Sequence, residues 1–265
     1  MHRVLKAQWY LILHKKGFWA SIWVMMLLNS IGYILNVYNG VGKDVFKMAR
    51  STDYYSLMGW GEMISYITIL FPFIVSFPVA FVSFDEELGK SSVFGILRCS
   101  YSLYYISKAL MAFFTGCIII WIPFGLNILW NTITFRTNMN GYEGMIYSQT
   151  YFENSGVAFE QFYKLHPLGY EVLFTIMLGF FAGICSFFAY SVSNYIKNYK
   201  IICAIPVFAL FFATRALDFK GVIFDDYIAC PLGESCLPNM FFVELIMLVI
   251  SCILLCKYVK KREFI

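Results

Sequence analysis

Residues 168–192 read LGYEVLFTIMLGFFAGICSFFAYSV, an apolar stretch in which Glu171 is the single charged residue. A helix needs about 20 such residues to cross the hydrocarbon core of a bilayer. The stretch therefore predicts a transmembrane helix and places the chain among all-α integral membrane proteins.

The composition of the whole chain points the same way. Of its 265 residues, 60% are hydrophobic, 20% are aromatic and only 14% are charged. A soluble domain carries about 25% charged residues, so the ionic side chains are too few to cover a water-facing surface of this size. These values argue against a secreted disulfide scaffold, a disordered chain and an ordinary cytosolic enzyme. The net charge of +4 is modest and favours no nucleic-acid partner.

Six apolar stretches predict a polytopic membrane protein with six transmembrane helices. We place the spans at 18–36, 63–84, 105–130, 168–192, 201–216 and 240–258. They make residues 17–265 one transmembrane domain. The fifth stretch is short, so hydropathy alone also allows five spans.

The segment at 1–16 precedes the first span and has two sides when drawn as a helix. Leu5, Trp9 and Ile12 fall on one side, and Lys6 and His14 on another. This pattern is typical of an amphipathic helix that lies in the membrane interface. A generic charged flank before the first span explains it equally well.

The loop charges indicate the orientation of the chain. With both termini in the cytosol, thirteen of the twenty Lys and Arg residues lie inside and seven lie outside. Because positive residues are retained on the cytoplasmic side, we expect a multi-pass protein of the cell membrane, most simply a bacterial plasma membrane, with both termini cytoplasmic.

The spans offer no set of catalytic or metal-binding residues. Intramembrane hydrolysis uses a Ser–His pair, two Asp residues or a zinc site at membrane depth. All three His residues fall outside the predicted spans, and no Asp lies inside one. We therefore predict no enzyme activity, no metal and no cofactor in this chain.

Two glutamates and two prolines are candidates for a pathway or gate. Glu171 and Glu244 begin spans on the outer side, and intramembrane carboxylates often mark transport pathways. Both residues are close enough to the membrane interface for their carboxylates to reach water, so a role without function in transport is the alternative. Pro72 and Pro78 break the second span, which suits a moving pathway but also occurs in rigid bundles.

Two of the eight cysteines share the last outer loop. Cys230 and Cys236 lie on the oxidising face of the membrane with five residues between them. A disulfide is therefore expected there, and two free thiols are the alternative.

The loop after the second span carries the strongest functional signal. Residues 84–98 read FDEELGKSSVFGILR, with three acids at the cytosolic mouth of a span and a short apolar face behind them. A solvated loop needs no such face, whereas a loop that docks into another protein does. The candidate docking residues are Asp85, Glu86, Glu87, Gly89, Lys90, Val93, Phe94, Ile96 and Leu97.

At this loop the sequence resembles the type-2 permeases of the ATP-binding-cassette (ABC) exporters. The resemblance rests on the acidic run with Gly89 and Lys90, on Leu97, on the pair Ser107-Lys108, and on the basic-then-acidic ending at 260–265. It implies that the loop forms a cytosolic coupling helix and that segment 1–16 is an elbow helix on the inner leaflet. It also implies short re-entrant helices between the fifth and sixth spans.

The resemblance further implies the partners of the chain. Such a permease pairs with a second permease half, either the same chain or a paralogue, within the membrane lipid. A separate cytosolic ABC ATPase would bind ATP and Mg²⁺ and supply the energy. The substrate stays open.

Two other functions compete with an exporter subunit. An ion-coupled carrier usually has ionisable residues at the midplane and a repeated architecture, and the sequence shows neither. A non-transporting membrane receptor or immunity protein that binds an extracellular peptide is the rival of another class. Co-purification of an ATPase would distinguish an exporter from both.

Overall fold

The chain folds into a bundle of long helices in the computed structural model. The structure describes residues 2–42, 51–57, 63–88, 100–135, 159–196, 198, 200–206, 209 and 236–263. In this part of the chain every regular element is helical. The helices are α1 (His2–Leu13), α2 (Lys16–Gly40), α3 (Ile64–Leu88), α4 (Tyr101–Thr134), α5 (Glu160–Leu165), α6 (Pro167–Ser193) and α7 (Cys236–Glu263), with a 3₁₀ turn at Ser51–Tyr54 and a helical stretch at 200–206.

Four of these helices are long and apolar enough to cross a membrane. The qualifying segments are Lys16–Gly40, Tyr101–Thr134, Pro167–Ser193 and Met240–Lys261, and a shorter apolar stretch, Tyr66–Ala80, lies within α3. They contain the predicted first, third, fourth and sixth spans. In the described residues the expectation of an all-α protein is confirmed, and four helices of membrane-spanning length and composition agree with a membrane-embedded chain. The count of six spans stays a prediction.

The amphipathic segment forms a helix of its own, α1, which is separated from α2 by a corner. Lys15 adopts an extended conformation between the two helices. The indole N–H of Trp19 donates to the Leu13 carbonyl oxygen at 2.8 Å, which satisfies one of the acceptors that the end of α1 leaves open. The corner lets α1 turn its apolar side, with Ile12 buried, against the bundle.

Helices α4 and α6 form the closest pair in the bundle and run antiparallel. A Cβ atom added to Gly116 would lie 2.5 Å from the Ala182 carbonyl oxygen, and one added to Gly183 would lie 2.8 Å from the Cys117 sulfur. Small residues at such positions let helix backbones approach closely. Gly116 and Gly183 therefore serve the close packing of α4 against α6.

Candidate functional site

Two acidic residues lie within the four membrane-length helices, and both are buried. Glu171 is 1% exposed and Glu244 is 9% exposed. Neither side chain lies on an open surface of the described helices, and a role of the two carboxylates in a pathway stays a prediction. A carboxylate inside a bilayer is costly and usually functional, so the two burials define the candidate site.

Glu171 lies in the first turns of α6, beneath a short segment that connects α2 to α3. The Thr175 hydroxyl donates to the Glu171 carbonyl oxygen at 2.8 Å. Because a hydroxyl has one proton, the Tyr55 hydroxyl, 2.5 Å from Thr175 Oγ1, is the donor in that second contact. Tyr55 is 1% exposed, so the segment at 51–57 inserts between the helices.

Amide side chains hold this inserted segment against α2 and α4. The Asn127 side-chain oxygen accepts from the Ser56 backbone N–H at 3.2 Å and from Asn131 Nδ2 at 3.1 Å. The Tyr54 carbonyl oxygen accepts from Asn131 at 3.2 Å and from Asn36 at 3.1 Å. The segment therefore links, by hydrogen bonds, the ends of α2 and α4 that lie farthest from α1.

This amide cluster was missed by the sequence reasoning. Asn127 and Asn131 stand four residues apart at the end of the third apolar stretch. In a helix this spacing puts both on one face, and amides on one face of a span are the signal that could have identified them.

The depth of Glu244 follows from the register of α6 and α7. The Tyr195 hydroxyl donates to the Leu254 carbonyl oxygen at 2.8 Å. Cys185 and Glu244 stand ten residues before these two positions, so the same register brings Glu244 beside Cys185. The two helices therefore run side by side in the same direction, with Glu244 level with Cys185.

Cys185 and Glu244 lie well away from the first residue of α6. At 1.5 Å per residue, Cys185 is about 27 Å from the start of α6 at Pro167 and about 12 Å from its end at Ser193. Cys236, the first residue of α7, is about 12 Å from Glu244 by the same rise. Helix α7 thus begins about 15 Å along α6 from Pro167, and this offset places Glu244 nearer to the Ser193 end of α6 than to its Pro167 end.

The Glu244 carboxylate has no fixed hydrogen-bond donor in the part of the chain that the structure describes. Its neighbour on α6 is the Cys185 thiol, which is fully buried. A buried charge without a partner is strongly unfavourable. The site can therefore take up a proton or a cationic group, either of which would neutralise the carboxylate.

Pro72 and Pro78 both lie inside α3, which continues through them to Leu88. Pro78 has no N–H to donate to the Ile74 carbonyl oxygen four residues earlier. That oxygen accepts from the Ser21 hydroxyl of α2 at 2.9 Å, and the next carbonyl, of Val75, accepts from Ser186 of α6 at 3.1 Å. Ser21 thus replaces the hydrogen bond that Pro78 removes, and Ser186 adds a second contact one carbonyl further on.

The other predicted site residues fall partly outside the described residues. Asp85, Glu86 and Glu87 belong to the last turns of α3, with only their backbone described. Cys236 is the first residue of α7, and only its backbone is described as well. Gly89, Lys90, Val93, Phe94, Ile96, Leu97 and Cys230 lie outside the described residues, so the coupling loop and the disulfide stay predictions.

Comparison with protein-family models, with curated proteins and with solved structures finds no match. We therefore infer the function from the residues themselves.

Proposed function

We propose that the chain is the membrane subunit of an ABC exporter of the type-2 class. In this proposal it spans the plasma membrane six times with both termini in the cytosol. It has no catalytic activity of its own. A cytosolic ATPase binds ATP and Mg²⁺, and a second permease half completes the translocation pathway.

The observation that carries the proposal is the sequence at the end of α3. The helix continues to Leu88, so the acids at 85–87 lie in its last turns and the apolar face at 93–97 follows directly. In the proposed topology this point is the cytosolic mouth of the second span. An acidic patch beside a short apolar face suits docking into a partner with a basic rim and an apolar groove.

Two features of the described helices support a transport role. Helix α1 is a separate element before the first long span, as an elbow helix would be. Glu244 is buried deep in the bundle, where charged side chains commonly mark a pathway. In the proposal, Glu244 and the Ser21-supported carbonyl beside Pro78 belong to the moving pathway, and Glu171 lies at its outer end.

Co-purification tests this function most directly. The chain, tagged at its C-terminus and expressed with its neighbouring genes, should bring down an ATPase subunit whose activity rises when both are reconstituted in liposomes. A chain that binds a peptide at the outer surface and brings down no ATPase would instead be a receptor or immunity protein.

A further inference from the structure

An open groove runs between α1 and α4 on the surface of the bundle. Its walls are formed by Leu5, Lys6, Trp9, Met111, Phe114 and Ile118. Five of these six side chains are apolar or aromatic, and the Phe114 ring is 47% exposed. A surface of this kind next to a membrane-length helix suits a hydrocarbon chain.

The groove lies at the boundary of the membrane. From Met111 to Thr134, the end of α4, is 23 residues, or about 35 Å of helix. The hydrocarbon core of a bilayer is about 30 Å thick. When the far end of α4 is at one interface, Met111 and the α1 residues beside it are therefore at the other, where lipid headgroups begin.

The polar groups of the groove are hydrogen-bond donors. The Lys6 ammonium is exposed, and the Trp9 indole N–H makes no hydrogen bond among the described residues. Trp9 is held in place by an edge-on contact with Phe18, with ring centroids 6.5 Å apart. A cation and a fixed N–H donor beside an apolar channel match a phosphate joined to an acyl chain.

The surrounding charge is entirely positive in the helices that build the groove. Residues 1–42 and 100–135 contain no Asp or Glu. The basic residues in the same ranges are Arg3, Lys6, Lys15, Lys16 and Lys108. This favours an anionic headgroup over a zwitterionic one, because Lys6 in the groove should attract anionic lipid by about 1 kcal/mol and no acid in these ranges opposes it.

We propose that the groove between α1 and α4 is a binding site for one anionic phospholipid, with an acyl chain along Met111, Phe114 and Ile118 and the phosphate at Lys6 and Trp9. Lipid of this kind would fix α1 against the bundle. The site does not depend on the exporter function, since it needs only a chain embedded in a membrane.

The test is lipid retention by the purified full-length protein. Detergent-solubilised protein is incubated with equal amounts of phosphatidylglycerol and phosphatidylcholine that share the same acyl chains, and bound lipid is counted by native mass spectrometry. We expect one retained phosphatidylglycerol, favoured about five-fold, the ratio that corresponds to about 1 kcal/mol. Equal retention of the two lipids would overturn the site.

Matched variants locate the binding. Lys6→Gln should abolish the preference and Trp9→Phe should reduce it, while Lys16→Gln, which alters an exposed lysine outside the groove, should leave it unchanged. An equal loss in Lys16→Gln would mean a diffuse basic surface and contradict the proposal. Displacement of the lipid by excess glycerol phosphate would show a site for free phosphate, which also contradicts it.

Discussion

The Ser21 hydroxyl on α2 donates a hydrogen bond to the Ile74 carbonyl oxygen on α3, 2.9 Å away. This is the oxygen that Pro78 leaves without its partner in the helix. Ser21 is 3% exposed, so its hydroxyl is the donor that this buried oxygen has in place of bulk water. The proline and the serine therefore act as a pair, although they lie on different helices.

Ser21→Ala should lower the free energy of unfolding by about 1–3 kcal/mol, since it leaves a buried acceptor unsatisfied. Pro78→Ala restores an N–H that can reach Ile74, so the same serine change should cost less in that background. Denaturant titration of the four proteins of this double-mutant cycle in detergent measures the coupling. Ser30→Ala is the control, because Ser30 bonds within its own helix to Met26. Equal costs of Ser21→Ala in both backgrounds would refute the pairing.

Gly116→Ala should destabilise the bundle, because its new methyl group would lie 2.5 Å from the Ala182 backbone oxygen. Overpacking of this kind costs about 1–3 kcal/mol. Gly125 lies on the same helix, and a methyl group added there would have no atom within 4 Å. Gly125→Ala should therefore be neutral or slightly stabilising, as measured by thermal unfolding in detergent. A similar loss in both variants would argue against close packing at Gly116.

Glu244→Gln should stabilise the protein while reducing transport. The change removes a buried carboxylate that has no donor among the described residues, and relief of an unpaired buried charge raises stability by at least about 1 kcal/mol. Unfolding measurements and export from proteoliposomes report the two effects separately. Ser251→Ala, a buried change on the same helix, should alter transport little. A less stable Glu244→Gln variant with normal transport would make the carboxylate a structural group.

Phe94→Ala should uncouple transport more severely than Glu86→Ala. Loss of a buried aromatic anchor from an interface can cost over about 2 kcal/mol, whereas a rim charge mainly alters association rate and salt dependence. ATPase activity of the reconstituted complex, with and without substrate, is the measurement. Normal stimulation and normal ATPase binding in Phe94→Ala would show that this loop is not the coupling element.

Thiol counting should find six reactive cysteines among the eight in the sequence. Cys117, Cys185 and Cys203 are buried free thiols, and Cys252 and Cys256 are exposed ones. Under denaturing, non-reducing conditions these five and Cys99 should react with maleimide, while Cys230 and Cys236 should react only after reduction. Eight adducts before reduction would mean that the disulfide is absent.

The long apolar helices could be predicted from the sequence because the apolar length of a span is a local property. The predicted stretches at 18–36, 105–130 and 168–192 each lie inside an observed helix. The depth of Glu244 could not be predicted in this way. It depends on how far α7 is shifted along α6, and that shift is set by contacts such as Tyr195 with Leu254, which join residues far apart in the chain.

The same distinction applies to the prolines. Pro78 is visible in the sequence as a break in the second span, but the hydroxyl that compensates for it lies more than fifty residues earlier. A serine in an apolar stretch gives no indication of which carbonyl it reaches. Pairings between helices therefore had to come from the structure.

The inserted segment at 51–57 has a mechanical consequence. It fastens α2, α4 and α6 to one another at the end of the bundle that lies farthest from α1, through Asn36, Asn127, Asn131 and Thr175. Helices that are joined at one end can still change their tilt, and the change in separation grows with distance from that end. Because α4 and α6 are also packed closely at Gly116 and Gly183, a tilt of α2 against this pair would pivot about the fastened end, and its largest displacement would lie beside α1.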